Sequence, residues 1–406
     1  MRLALIIDDY LPHSTRVSPK MMHELAIELK RQGHEPFVLT PGVDGQQALL
    51  VEDRLDGVPI FRFRSGPLKD IPKVKRAINE SLLSARAWRA LAPTLRSRKI
   101  DGVVYYSPSI FFGSLVRRIK QLWGCPAYLI LRDLFPQWVI DEGMIREGSP
   151  IARYFRYFEQ KSYWAADHIG LMSQKNLDVF RQMNPHLSKT GILYNWASPA
   201  PAIAPTEQES LRTQLGLQDK VIYFYGGNIG HAQDMANLMR LAKGMQHHPD
   251  AHFLFIGQGD EYGLVESLIR EHGLQNTTLL PSIPQEAFKK VLCEVDVGLF
   301  SLSRSHKAHN FPGKLLGYMV NGLPILGSVN PGNDLMAVIN SAHAGIALEN
   351  GKDMALLVSA ERLMTEPTLR KRQGENARKL LHEKFSVESA ACEIVNTLTT
   401  LHSADE

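Results

Sequence analysis

Long apolar runs, paired cysteines and a strong charge imbalance are all missing from this 406-residue chain. No stretch reaches the ~20 uninterrupted apolar residues that a membrane helix requires. The first apolar run, LALII, stops at Asp8-Asp9, short of the ~7–15 residues of a signal-peptide core, so it is expected as a buried first strand. Cys125, Cys293 and Cys392 lie too far apart for a zinc or dithiol motif; so sparse and odd a set fits a reducing cytoplasm and a packing role for each. A net charge of +4 is too mild to imply a nucleic-acid partner. What is present is the balance of a packed globular protein, 44% hydrophobic and 22% charged. The length exceeds one ordinary core and predicts two domains of roughly 200 residues.

Short apolar runs alternate with helix-period segments. RLALII is followed by SPKMMHELAIELKRQG, in which Met22, Leu25, Ala26 and Leu29 share one helix face and Gly33 ends the helix before PFVLT. DGVVYYS, CPAYLILRD, HIGLMS and TGILYN continue the rhythm, which predicts parallel sheets covered by helices on both sides. The segment SPAPAIAPTEQES, residues 198–210, is rich in proline and alanine without period and reads as a linker. The rhythm then restarts at VIYFYGG and runs to LPILGS. The expected architecture is two doubly wound, Rossmann-like α/β domains facing a deep cleft: residues 1–200, residues 201–380, and closing helices over 381–406 that pack back toward the first domain.

In parallel sheets, ligands bind beyond the carboxyl ends of the strands, so the loops there are the first candidates. VIYFY runs into Gly226-Gly227-Asn228-Ile229-Gly230, where glycines let backbone approach a ligand and the following helix start offers N–H groups to phosphate; a plain tight turn is the alternative. FIGQGDEYG comes near the dinucleotide fingerprint, but Gly263 falls one residue late, which weakens a nicotinamide reading. In His309-Asn310-Phe311-Pro312-Gly313-Lys314-Leu315, Lys314 falls in a first helical turn, where a basic residue opposes the helix dipole unless a bound diphosphate reverses the sign. A solvated lysine is the alternative. His13, His231 and His306 stand at loop or helix edges, and Tyr154, Tyr157, Phe158 and Trp164 have a helical spacing that suits packing.

These segments, with Gly33-His34-Glu35, LYNWA at Leu193–Ala197, YGGNIGHAQDM, FIGQGD and NFPGKLLGYMVNGLPILGS, resemble the retaining, nucleotide-sugar-dependent glycosyltransferase family four, of GT-B fold, over nearly the whole length. IIDDYLPHSTRV, RDLFPQW and NFPGKLLGYM look more narrowly like bacterial N-acetyl-L-fucosamine transferases of O-antigen assembly. The resemblance implies a UDP-sugar donor, no resident cofactor, a lipid-diphosphate-linked acceptor and a cytoplasmic enzyme at the inner membrane surface. It puts Gly227 and Asn228 at the donor diphosphate, Gly257 and Gly259 at the base, Asn310, Pro312, Lys314 and Leu315 under the phosphates, and His13 and Arg16 on the acceptor side.

The chain departs from the family in two respects. The family places glutamates where His309 and Gly317 stand, and a basic pair after the glycine loop where HAQDMANL has none before Arg240. Leaving-group charge would then rest on Lys314, Arg16 and backbone amides. Asp133, after the strand AYLILR, could orient or deprotonate an acceptor hydroxyl, or pair with Arg132. Asp8-Asp9 lacks the spaced-acid pattern of metal-dependent transferases, so no metal is expected. Between Lys69 and Lys99, the seven basic residues Lys73, Lys75, Arg76, Arg86, Arg89, Arg96 and Arg98 interleave with Leu82, Leu83, Trp88 and Leu91, the pattern of a helix lying on an anionic bilayer or of a solvated basic face. A sugar-nucleotide epimerase of the same fold and a non-catalytic sugar-nucleotide-binding protein are the competing functions.

Overall fold

A computed structural model describes residues 1–14, 16–68, 71–200, 203–305 and 311–404. The chain divides into two compact units, residues 1–194 with 387–406, and residues 195–386. Each is a doubly wound α/β unit.

The first unit is built on eight strands: β1 (Arg2–Ile6), β2 (Glu35–Pro41), β3 (Leu50–Leu55), β4 (Val58–Phe63), β5 (Gly102–Ser107), β6 (Ala127–Leu131), β7 (His168–Leu171) and β8 (Thr190–Ile192). Their order is β3-β4-β2-β1-β5-β6-β7-β8, and only β3 and β4 run antiparallel. Strand order reverses between β1 and β5. The run from Leu3 to Ile7 is fully buried, as a central parallel strand covered on both faces must be. The Val17–Arg31 helix returns Met22, Leu25, Ala26 and Leu29 to that sheet with no exposure. The β3–β4 hairpin closes through Asp56-Gly57, both at positive φ, the two-residue turn whose twist matches the strands.

The second unit carries β9 (Val221–Asn228), β10 (Ala251–Gln258), β11 (Thr277–Pro281), β12 (Val297–Ser301), β13 (Ile325–Val329) and β14 (Gly345–Glu349). All pairs are parallel in the order β11-β10-β9-β12-β13-β14, the dinucleotide-domain order, reversing between β9 and β12. β9 pairs with β12 only at Tyr223–Val297 and Phe224–Gly298, then keeps β10 alone as far as Asn228. The two central strands therefore part at their carboxyl ends. The second unit begins at Asn195, ahead of the proline-rich segment read as a linker. Trp196 is buried, and Ala197 pairs with Phe385 and Ser386.

The Val387–Ala404 helix belongs to the first unit, where it lies against the Val17–Arg31 helix and β6. Leu398 on it is fully buried beside Gly102, whose missing side chain makes room for it. Truncating Leu398 to Ala should destabilise the first unit by about 2–5 kcal/mol, through lost burial and a residual cavity. Urea unfolding followed by a probe in that unit measures the loss.

Candidate functional site

The carboxyl ends of β9, β10 and β12 gather the glycine turns and the Lys314–Asn321 helix into one corner of the second unit. Gly227 takes φ of +103°, a conformation that suits glycine and turns the exposed Gly227-Asn228 backbone outward. Gly257 is required for a different reason, because a Cβ there would overlap the Gly227 carbonyl oxygen across the β9–β10 pair. The turn is then locked from both sides. Ile229 N donates to Gln258 O (2.9 Å), Glu261 N to Ile229 O (3.0 Å), and Asn228 Nδ2 to Gln233 Oε1 (2.8 Å). Acidic groups from the loop after β10 hold the next segment: Asp260 accepts from His231 N at 3.3 Å, and Glu261 from Met235 N at 3.2 Å. His231 Nδ1 lies 3.4 Å from Glu261, with its ring in solvent.

Tyr318, inside the Lys314–Asn321 helix, spans the point where β9 and β12 separate. Its hydroxyl hydrogen is shared between the carbonyls of Phe224 (3.2 Å) and Leu299 (2.9 Å), one on each strand. Its ring packs on Gly298, where no side chain could fit. Lys314, one turn earlier, extends to β9, with Nζ 3.3 Å from the centroid of the Tyr225 ring. Tyr225 in turn donates its hydroxyl to Asn228 O at 2.5 Å. The Lys314 residue is half-buried, yet its Nζ is sealed from solvent and has no hydrogen-bond partner among the described residues. Burial alone therefore holds its pKa well below the ordinary lysine value. The aromatic face offsets part of that cost for a cation but supplies no counter-charge.

Other expected residues fall around this corner or outside it. Gly259 is exposed beside the Ile229 carbonyl, and Pro312 is half-buried. Leu315 buries its side chain in the core and donates its amide to Pro312 O at 3.1 Å. Asn310, His309 and His306 lie outside the described residues. Gly317 faces the Gln285–Leu292 helix, since a Cβ there would come 3.1 Å from Leu292 Cδ1. Tyr225 and Tyr318 were not singled out from sequence, although each directly adjoins a flagged motif.

Asp8, Asp9, His13, Arg16 and Asp133 belong to the first unit, at the carboxyl ends of β1 and β6. Asp9 accepts from Ser14 Oγ at 2.6 Å, and Ser14 Oγ accepts from Arg16 N at 3.3 Å, so the loop is braced while the His13 and Arg16 side chains stay exposed. Tyr10 beneath it is tied to His23 Nδ1 at 2.8 Å, and His23 Nε2 to Asp56 at 2.9 Å. Arg132 is buried and donates to the carbonyls of Leu193 and Tyr194. Asp133 retains solvent contact, but the surrounding protein raises its pKa by desolvation, with Arg132 opposing.

The basic stretch after β4 forms two helices, Lys73–Ser81 and Leu83–Arg96. Here the amphipathic reading needs correction. Leu83 and Leu91 face the core, and Trp88 is half-buried with the Arg96 and Arg118 guanidiniums 6.0 and 5.5 Å from its ring. The apolar side meant for lipid is mostly the inner face of the helix. The outward stripe keeps Lys75, Ile78, Leu82, Arg89 and Arg96. In the Pro150–Ala165 helix Phe158 packs on Phe111, whereas Tyr157 and Trp164 are exposed rather than packed.

Comparisons with known proteins agree with the two-unit α/β fold. Residues 207–380 match the family described as glycosyl transferases group 1, and residues 19–196 the glycosyl transferase 4-like domain. The chain is 24% identical over 337 residues to the "Putative colanic acid biosynthesis glycosyl transferase WcaI" of Escherichia coli K12, covering 79% of this chain and 82% of that one. Among solved structures it resembles the E. coli trehalose-6-phosphate enzyme bound with UDP-2-fluoro glucose, with a TM-score of 0.70, 11% identity and coverage of 98% and 99%. It also resembles Anabaena HepE in complex with UDP, with a TM-score of 0.67, 14% identity and coverage of 98% and 100%. These last two likenesses show the fold.

An uncompensated buried amine has a measurable consequence. The unfolded lysine holds its proton up to about pH 10.4, whereas the folded one gives it up at a lower pH. Folding is therefore opposed in full below the lowered folded pKa, and the opposition fades as pH rises toward the unfolded value. Lys314→Met should raise the ligand-free melting temperature at pH 7, and the gain should shrink between pH 8 and about pH 10. Thermal unfolding of both proteins across that range tests the sign.

Proposed function

The chain is a glycosyltransferase of the two-domain GT-B fold, its second unit carrying the group 1 domain and its first the 4-like domain, and from that premise we propose the reaction it performs. It moves a sugar, with retention of anomeric configuration, from a UDP-sugar to a lipid-diphosphate-linked saccharide in the assembly of a surface polysaccharide such as O-antigen. An N-acetylated deoxyhexosamine of the N-acetyl-L-fucosamine kind is the donor sugar suggested by the IIDDYLPHSTRV and NFPGKLLGYM segments.

The observation that carries the reading is the Lys314 Nζ, sealed and without a hydrogen-bond partner among the described residues, where β9 and β12 part, next to the Gly227 turn. A diphosphate in that corner would supply the missing counter-charge. In a water-poor site the lysine would stabilise the negative charge that develops on the departing nucleotide. Gly227 and Asn228 would line the diphosphate, Gly257 and Gly259 the base, and Pro312 and Leu315 the entry turn below it. On the first unit, His13 and Arg16 are proposed for the acceptor side. Asp133, a carboxylate whose raised pKa favours accepting a proton, is proposed to orient or deprotonate the acceptor hydroxyl. The outward basic stripe would hold the enzyme on the anionic inner face of the plasma membrane by charge, each residue contributing about 1 kcal/mol near the surface.

UDP and UDP-sugars should raise the melting temperature more than the guanosine and adenosine equivalents do, in a side-by-side thermal-shift screen. Lys314→Ala should lower kcat about 10²–10³-fold, equivalent to ~2.7–4 kcal/mol of barrier, while circular dichroism is unchanged. Near-normal turnover in that variant would remove the site from consideration. Turnover should persist in a chelator, since no step above uses a metal. Flotation with anionic liposomes should fall at high salt and on reversing Lys75, Arg89 and Arg96, whereas neutral liposomes should recover little protein.

A further inference from the structure

At the amino-terminal ends of the strands of the second sheet, two consecutive histidines meet a glutamate. His247 and His248 lie in the turn between the Met235–Gly244 helix and β10, ahead of the first residue of that strand. Glu361 projects from the Asp353–Thr365 helix, which packs against the Met235–Gly244 helix. His248 Nε2 is 3.3 Å from Glu361 Oε1, and His247 Nε2 is 3.9 Å from the same oxygen. The two rings face each other with centroids 4.0 Å apart and planes inclined by 40°. One ligand atom from each of the three residues falls within 4.8 Å of the others.

We propose that His247, His248 and Glu361 bind a single divalent transition ion of the zinc type, leaving a fourth position to water. Tetrahedral bonds of about 2.0–2.1 Å set neighbouring ligand atoms roughly 3.3 Å apart. His248 and Glu361 already have that separation, and the exposed His247 can rotate to close its longer distance. Two imidazoles and one carboxylate are borderline donors, which favour zinc over magnesium or calcium. An ion pair alone explains the arrangement less well. One carboxylate oxygen facing two ring nitrogens in solvent-accessible positions contributes little by itself. A metal uses all three groups at once, with both imidazoles neutral.

The place of the site defines its role. β10 runs away from His248 and delivers Gly257 and Gly259 at its far end, so the ion would sit at the amino-terminal edge of the sheet, away from the donor corner. It would join the turn before β10 to the Asp353–Thr365 helix, and act as a clamp on the second unit rather than in sugar transfer.

The test uses the whole chain without a polyhistidine tag and with Cys392→Ser, because that exposed thiol would compete for zinc. Titration with Zn²⁺ should give one saturable equivalent per chain and raise the melting temperature, whereas Mg²⁺ should do neither. Glu361→Gln and His247→Ala should each weaken zinc binding by at least about tenfold and abolish the rise, with the metal-free melting temperature kept. Binding of UDP should be the same with and without a chelator, which separates this proposal from the reading of the donor corner. Absence of saturable zinc binding, or binding of equal strength in both variants, overturns the site.

Discussion

An amine without a partner is the constraint around which the second unit is arranged. Lys314 Nζ is enclosed by protein, touches the face of Tyr225, and has no acceptor among the described residues. Proteins rarely leave a cation in that position, because desolvation is uncompensated unless a charge of opposite sign arrives. Several neighbouring features make sense as consequences. Tyr225 is fixed through its hydroxyl to the Asn228 carbonyl, so the aromatic face stays beneath the amine. Tyr318 ties Phe224 to Leu299 and keeps the central strands in register up to the point where they part. The glycine turns then bring bare backbone to the edge of that opening. Burial there favours the neutral amine over the ammonium.

The surrounding frame repeats in both units. Each sheet reverses strand order at its centre, between β1 and β5 and between β9 and β12, and each places its candidate residues beyond the carboxyl ends of those strands. The two sets differ chemically. The second unit presents glycine backbone and a sealed lysine amine. The first offers exposed His13 and Arg16 and a pair of carboxylates, Asp9 braced by Ser14 and Asp133 beside a buried arginine. Arg132 illustrates how such positions are kept. Its own charge is committed to the Leu193 and Tyr194 carbonyls, which fixes the backbone that carries its neighbour.

Much of the frame was legible in the sequence, because parallel strands buried on both faces read as unbroken apolar runs and the intervening helices keep a 3.6-residue period. Leu3–Ile7 and the Met22–Leu29 face are examples. The corner that holds Lys314 was half legible: glycine turns and Lys314 carry local signals, but the Tyr225 contact joins residues far apart in the chain, and no spacing announces it. The Asp56-Gly57 hairpin could have been found from its dipeptide alone. The basic helices misled for a definable reason. Periodicity reveals that Leu83, Trp88 and Leu91 share a side, yet whether that side meets lipid or core depends on what the rest of the chain packs there. Likewise, the first unit ends before the proline-rich tract, since buried Trp196 commits the chain to the second core earlier than composition suggests.

The membership of the Val387–Ala404 helix in the first unit has a consequence for how the protein comes into being. During synthesis, residues 1–194 emerge first, but the helix that covers β6 and fills the space beside Gly102 is translated last, after the whole of residues 195–386. The first unit therefore needs two separate stretches of chain to close its core, while the second takes its core from one contiguous stretch. Completion of the first core is thus tied to a segment that lies beyond the second unit in sequence, and removing that helix would expose apolar surface of the first unit.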